Sequence, residues 1–410
     1  MDFYKKDIIR DERAADIGER MRLSPNTTPT EEPAVPGCSG GGPLVAPTAK
    51  RYPERPFSGH ATPMAPKKGL MERLRAGETV LCAEGFVFEM ERRGYLKAGP
   101  FVPEVVLEHP DALIQLHEEF VRAGTDVVLA FTYYGQRQKM RLVNREGDFE
   151  KLNKSALKIA REVADKHGLL MAGNICNSST YDPKDAATVQ ECRQTFKEQV
   201  KWVIEGGADF LVAETYFDLG EALLAVEVAK QEAKGVPIVV CLACFGPKTR
   251  DGHSIVDACK ALETAGADVI GLNCGTGPET IIQYMRDIKK QVKTPLACLP
   301  VPYRTNKDFK NFLTFKNSEG KRAFFEDLDM HLVCQTDIQK FGKQCQELGI
   351  QYVGICCGNS PRFFRRLAES YGRKPEASKY SADMEKHWFA GNPANFSPYQ
   401  QNILNMADAK

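Results

Sequence analysis

The chain has 410 residues, 55 basic and 54 acidic side chains and a net charge of +1. So even a balance removes the electrostatic case for a nucleic acid or an anionic membrane surface as partner, and no apolar run approaches the roughly 20 residues that span a bilayer. The start, Met1-Asp2-Phe3-Tyr4-Lys5-Lys6-Asp7, is charged where a signal peptide is apolar, and the acids between Asp2 and Glu19 argue against a mitochondrial presequence. Thirteen cysteines, an odd number scattered through apolar segments, read as reduced cytoplasmic thiols and not as a disulfide framework.

Residues 1–66 read as a disordered tail: Pro, Gly, Ser and Thr dominate and apolar periodicity is missing. From Gly69 a beat repeats. An amphipathic helix ends near a glycine, and an apolar strand follows within a few residues. Helices are predicted over 113–123, 152–167, 186–205, 219–233, 255–265, 278–292 and 337–348 from apolar spacing of three and four. Strands are predicted near 79, 126, 169, 209, 237, 268, 295 and 352. They are apolar throughout instead of alternating, as parallel strands covered on both faces must be. Eight such units in about 300 residues predict a (β/α)8 TIM barrel over 67–373, followed by a C-terminal extension, 374–410, suited to oligomerisation. A doubly wound open sheet is the competing architecture, but it calls for a Gly-x-Gly-x-x-Gly turn after the first strand, which is missing. Gly-Ala-Asp recurs at 207 and 266 as a helix terminator feeding a strand, a structural device rather than a catalytic one. Residues 303–336 form a long insert, the kind of rim segment that acts as a lid or as a surface excursion.

In such a barrel the chemistry collects where the strands end. Those positions hold Glu84 after strand one, Thr132-Tyr133-Tyr134 after strand two, Glu214 after strand four, Asn273-Cys274 after strand six and Cys356-Cys357 after strand eight. Strand, cysteine, glycine is the shared grammar of Gly271–Gly275 and Gly354–Gly358. Three thiolates arriving from two strand ends on one rim can hold a zinc ion with one position left open; ordinary buried thiols are the competing reading. A thiolate-rich metal is a weak Lewis acid and suits a second thiol, kept ionised near neutral pH for alkyl transfer, better than hydrolysis. Cys241 and Cys244 lie on strand five at a spacing that puts them on opposite faces and are read as core, as are Cys82, Cys176, Cys192, Cys259, Cys298, Cys334 and Cys345.

With these residues in view, the chain from about Gly69 to Gly372 resembles the zinc-dependent homocysteine S-methyltransferases, their betaine-dependent branch most closely. The carrying stretches are Gly85 to Pro100, Ala130-Phe131-Thr132-Tyr133-Tyr134, Ala213-Glu214, Gly271 to Cys274, Asp337 to Lys340 and Gly354 to Gly358. The resemblance implies one Zn2+ per chain on Cys274, Cys356 and Cys357, homocysteine as acceptor, methionine as product and a homo-oligomer. Within it, Glu84, Glu214 and Asn273 fall at the acceptor, and Tyr134 and Phe101 at the onium methyl donor. Three departures stand out. Ala83-Glu84-Gly85 replaces the family's Asp-Gly-Gly, Phe101 stands where a tryptophan is expected, and Thr215 where an aromatic is expected. The thinned aromatic cage leaves sulfonium donors, S-methylmethionine or dimethylsulfoniopropionate, open beside betaine. A non-catalytic barrel that binds thiols or zinc is the alternative from another class.

Overall fold

A computed structural model of the chain describes residues 67–388 and 391–408. The tail expected over 1–66 lies outside the described residues. Eight strands form a closed parallel barrel in chain order: β1 (Val80–Ala83), β2 (Val127–Leu129), β3 (Leu170–Asn174), β4 (Phe210–Tyr216), β5 (Ile238–Ala243), β6 (Val269–Asn273), β7 (Leu296–Leu299) and β8 (Tyr352–Ile355). β8 closes on β1 with Val80 opposite Tyr352 and Ala83 opposite Ile355. The helices Pro110–Ala123, Phe149–His167, Ala186–Glu205, Leu219–Glu232, Ile255–Thr264, Pro278–Lys289, Gln335–Glu347 and Pro361–Ser370 follow the strands one by one. This is the (β/α)8 barrel that the unbroken apolar strands call for: every residue of all eight strands is buried. The interior is filled, not open. The rings of Phe210 on β4 and Tyr352 on β8 meet at 6.2 Å, which strands on opposite sides of a barrel can do only through its middle.

The Gly-Ala-Asp repeat works at the N-terminal ends of the strands. Gly207 and Gly266 take positive φ after their helices, and the aspartate two residues on turns back to the preceding strand. Asp209 accepts the Met171 N–H at 2.7 Å, and Asp268 accepts the Ile238 N–H at 2.9 Å. Asp126, before β2, does the same for Leu81 at 2.7 Å. Each carboxylate also carries a basic side chain: Lys67 on Asp209, Lys230 on Asp268, and Arg73 with Arg373 on Asp126. These residues hold the strand register and belong to stability.

One reading is corrected here. Cys334 is not core but exposed. It is the N-cap of the helix Gln335–Glu347, with its sulfur 3.1 Å from the Asp337 carboxylate. An N-cap stands outside the helix, next to solvent, so the apolar residues around it do not bury it. The other cysteines read as core are buried.

The insert lies against the rim. The Phe312 N–H donates to the Gly275 carbonyl at 3.0 Å, Asn311 to the Phe245 carbonyl at 3.3 Å, and Arg92 to the buried Tyr303 hydroxyl at 3.2 Å. It therefore walls the loop that carries Cys274. Beyond the barrel, Arg365 and Glu369 tie the beginning of the C-terminal extension down through the Ala377 carbonyl and the Ser378 hydroxyl. Further along, Tyr380, Tyr399 and Met406 are exposed. No described helix is long and apolar enough to cross a membrane.

Candidate metal and acceptor site

The ends of β6 and β8 bring three sulfurs together. The Sγ atoms of Cys274, Cys356 and Cys357 all lie within 4.8 Å of one another, with Cys356 and Cys357 3.9 Å apart. Thiolates at a Zn–S distance of about 2.3 Å in a tetrahedron stand about 3.8 Å apart, so the spacing fits one ion. Local backbone makes this convergence. Cys274 adopts φ 56°, an uncommon conformation for a residue with a Cβ. Gly275 follows where an added Cβ would stand 2.2 Å from the Cys244 carbonyl oxygen, and a Cβ at Gly85 would stand 2.3 Å from that of Cys356. Only glycine lets the end of β1 press against the Cys356–Cys357 peptide.

Crowding sets the protonation. The thiols of Cys356 and Cys357 both donate to Cys274, whose pKa falls to about 5, while the other two are pushed up, foremost by the Cys274 thiolate. One negative charge is readily available, and the second and third need a cation beside them. That is the behaviour of a donor set made for a metal ion.

Two carboxylates adjoin the cluster. Glu84, Glu214 and Cys356 also lie within 4.8 Å of one another. Glu214 owes its aim to an irregularity between β4 and β5 at Ala213–Tyr216, where Thr215 adopts φ 62°. Its oxygens accept from Asn174 of β3 and, at 3.1 Å, from Asn273 of β6. The fully buried Asn273 amide also donates to the Thr215 hydroxyl at 2.8 Å and accepts the Thr215 N–H at 2.9 Å. Glu84 is equally buried, yet neither of its oxygens has a hydrogen-bond partner. Burial, and then the charges of Glu214 and Cys356, push the Glu84 carboxyl well up; burial and Cys356 raise Glu214 to about 8. Among the described residues, the leading influences on both are burial, acidic neighbours and neutral hydrogen-bonding groups, with no basic side chain among them. A buried carboxyl pair in which Glu214 is held by two amides and Glu84 has no hydrogen-bond partner among the described residues fits an ammonium brought by a ligand. The cavity above is lined by Gly85, Phe86, Phe131, Tyr133, Asn174, Glu214, Thr215, Cys356 and Cys357.

The aromatic candidates separate. Tyr134 (φ 62°) stands with Tyr133, ring centroids 4.3 Å apart. Burial raises its hydroxyl pKa, with Cys357 and Cys274 acting in the same direction, so its hydroxyl feels the thiols, although Tyr133 and not Tyr134 lines the cavity. Phe101 does not line the cavity. Its ring packs on Phe88 at 5.8 Å and on Phe325 of the insert at 5.2 Å. Asn174 escaped the sequence reading although it sits at a strand end, where the rule that exposed the other rim residues, applied to strand three, would have found it. Thr215 entered that reading only as a departure from an expected aromatic; its hydrogen bonds to Asn273 depend on the bulge and left no sequence signal.

Comparison with known proteins gives the family of the chain. A family model described as homocysteine S-methyltransferase matches residues 84–371. The chain is 35% identical over 354 residues to betaine–homocysteine S-methyltransferase 1 of Xenopus tropicalis, covering 82% of this chain and 84% of that protein. It is also 35% identical over 345 residues to the S-methylmethionine–homocysteine S-methyltransferase of Mus musculus, covering 81% and 89%. The metallated form of the homocysteine methyltransferase MmuM from Escherichia coli shares the fold, with a TM-score of 0.57 and 17% identity, covering 72% of this chain and 97% of that one.

Proposed function

The chain belongs to the homocysteine S-methyltransferase family and is a methyltransferase, and on that premise we propose that it moves a methyl group from betaine or a related onium donor to the sulfur of homocysteine, giving methionine, with one zinc ion held by Cys274, Cys356 and Cys357. The observation that carries the reading is the three-thiol cluster beside a buried carboxyl pair, Glu84 and Glu214, with no ion pair among the described residues and no hydrogen-bond partner there for Glu84. Glu84 and Glu214 take the α-ammonium of homocysteine, so that Glu84 serves where the family has aspartate. Asn273, saturated by protein partners, and Asn174 position Glu214. The apolar walls of Phe86 and Phe131 receive the methylenes and keep water from the reacting sulfur. Zinc bound by three thiolates would keep the acceptor sulfur ionised near neutral pH. The acceptor thiolate attacks the methyl carbon in line; a C–S bond forms, and the bond to the onium nitrogen or sulfur breaks with its electron pair leaving on the donor, which becomes neutral there. Tyr134 faces the donor, and Phe101 faces it from a separate aromatic cluster with Phe88 and Phe325. The relatives' two donors leave betaine and sulfoniums as the class.

Free thiols that must stay reduced to bind metal support a cytoplasmic setting, and the exposed aromatics of the C-terminal extension support a homo-oligomer.

The test is methionine formation by zinc-loaded protein with homocysteine and, in parallel, betaine, dimethylsulfoniopropionate and S-methylmethionine. Turnover with at least one donor, lost in Cys274→Ala, is expected. Zinc and homocysteine bound without methionine from any donor would identify a thiol-binding barrel instead, and undiminished activity of Cys274→Ala would overturn the metal assignment.

A further inference from the structure

The short helix Arg137–Arg141 follows the tyrosines at the end of β2 and carries three cations. Two are paired: Arg137 with Glu198 at 2.8 Å, and Arg141 with Glu146 and Glu191 at 2.9 Å each. Lys139 differs. Its ammonium stands over the ring of Tyr134, 4.2 Å from the centroid. Its pKa is lowered by burial, opposed only by the Cys176 thiol, and no carboxylate acts on it. Cys176 in turn accepts the Tyr134 N–H at 3.1 Å. A half-buried cation is therefore held by one aromatic face at the margin of a site that gathers the acidic groups Glu84, Glu214 and the three thiols. A π face offsets only part of the loss of hydration of an ammonium; an anion would complete it.

We propose that Lys139 binds the carboxylate of the methyl donor and so selects zwitterionic donors, in which a quaternary ammonium or sulfonium and a carboxylate lie a few bonds apart. The inference rests on the methyl-transfer reading above. As the carboxylate draws Lys139 from the ring, the onium takes its place over Tyr134, one cation exchanging for another, and the methyl group is left on the side of the thiols. The selectivity has two parts: an attraction for the carboxylate, and a ring face closed to a bare onium while Lys139 occupies it.

The experiment uses the full zinc-loaded chain with homocysteine present and measures binding by calorimetry. Betaine and dimethylsulfoniopropionate are the carboxylate-bearing probes; tetramethylammonium and trimethylsulfonium are the bare ones. Lys139→Met is expected to weaken the first pair roughly ten- to a hundredfold and to leave the second pair unchanged or tighter, with Lys139→Arg retaining most of the wild-type preference. Lys139→Gln serves the same purpose should the methionine variant fail to fold. Equal effects on both pairs, no effect on either, or no binding of a carboxylate-bearing probe by the wild type would each overturn the proposal. Methionine formation is recorded separately. Lys139-dependent binding without any methionine would refute the methyl-transfer reading and leave the anion site standing; wild-type turnover with an unchanged donor KM in Lys139→Met would do the reverse.

Discussion

Carboxylates stand at both ends of this barrel in opposite states. At the N-terminal ends of the strands, Asp126, Asp209 and Asp268 each accept a backbone N–H and each carries a lysine or arginine. At the C-terminal ends, Glu84 and Glu214 are buried with no ion pair among the described residues, and neither Glu84 oxygen has a hydrogen-bond partner there. The three aspartates that hold the strand register are each paired inside the chain. The charges left unmatched lie beside three crowded thiols, where only something from outside can match them. The backbone repeats the contrast: Tyr134, Thr215 and Cys274, all at the upper rim, are non-glycine residues held at positive φ, a cost that sites of function bear.

Breaking the upper end is expected to abolish function without unfolding the protein. Cys357→Ser should lose its bound metal and lower turnover by roughly three orders of magnitude, with the denaturation midpoint of the metal-free protein nearly unchanged; metal analysis and urea melts of the same preparation check both. Next comes Glu214→Gln. Loss of a charged partner for the ammonium should raise the KM for homocysteine by about thirty- to a hundredfold while stability holds, because a pKa of about 8 already keeps the buried carboxyl largely protonated near neutral pH in the ligand-free protein. A fall in kcat at constant KM would place Glu214 elsewhere in the reaction.

The lower end should respond the other way. Asp126→Ala strands the Leu81 N–H and two arginines, and should cost about 2–3 kcal/mol of stability, leaving the kcat/KM of the folded fraction intact. The smallest expected effect sharpens the comparison with a buried carboxylate that is partly satisfied. Glu221 accepts the Ser178 N–H at 2.6 Å, and burial raises it to about 7. A carboxyl whose folded pKa lies above its unfolded one stabilises fully below the unfolded value, about 4.5, and loses that contribution as pH rises through about 7. Wild-type stability should therefore decline across that window relative to Glu221→Gln, as read from denaturation midpoints at stepped pH.

Much of this was legible in the amino-acid order. Strands covered on both faces have to be apolar throughout, so all eight could be seen, and the rim then followed from where each one stops. Cys274, Cys356 and Cys357 announced themselves by a cysteine and a glycine at a strand end. What stayed hidden depends on geometry that only the closed barrel creates. The hold of Asn273 on Glu214 requires the bulge at Thr215, and the packing of Phe101 requires Phe325 from the distant insert. Cys334 reads like the other thiols because a capping position leaves no mark in an apolar neighbourhood, and the helix of Lys139 is too short for periodicity to reveal.

The central claim is that three thiolates hold one metal ion and leave a place for a fourth sulfur. X-ray absorption at the zinc edge, recorded with and without homocysteine, tests it most directly. The account predicts one zinc per chain with three sulfurs and one lighter atom, changing to four sulfurs when homocysteine is added. Fewer than three protein sulfurs, or a coordination that homocysteine leaves unchanged, would contradict it.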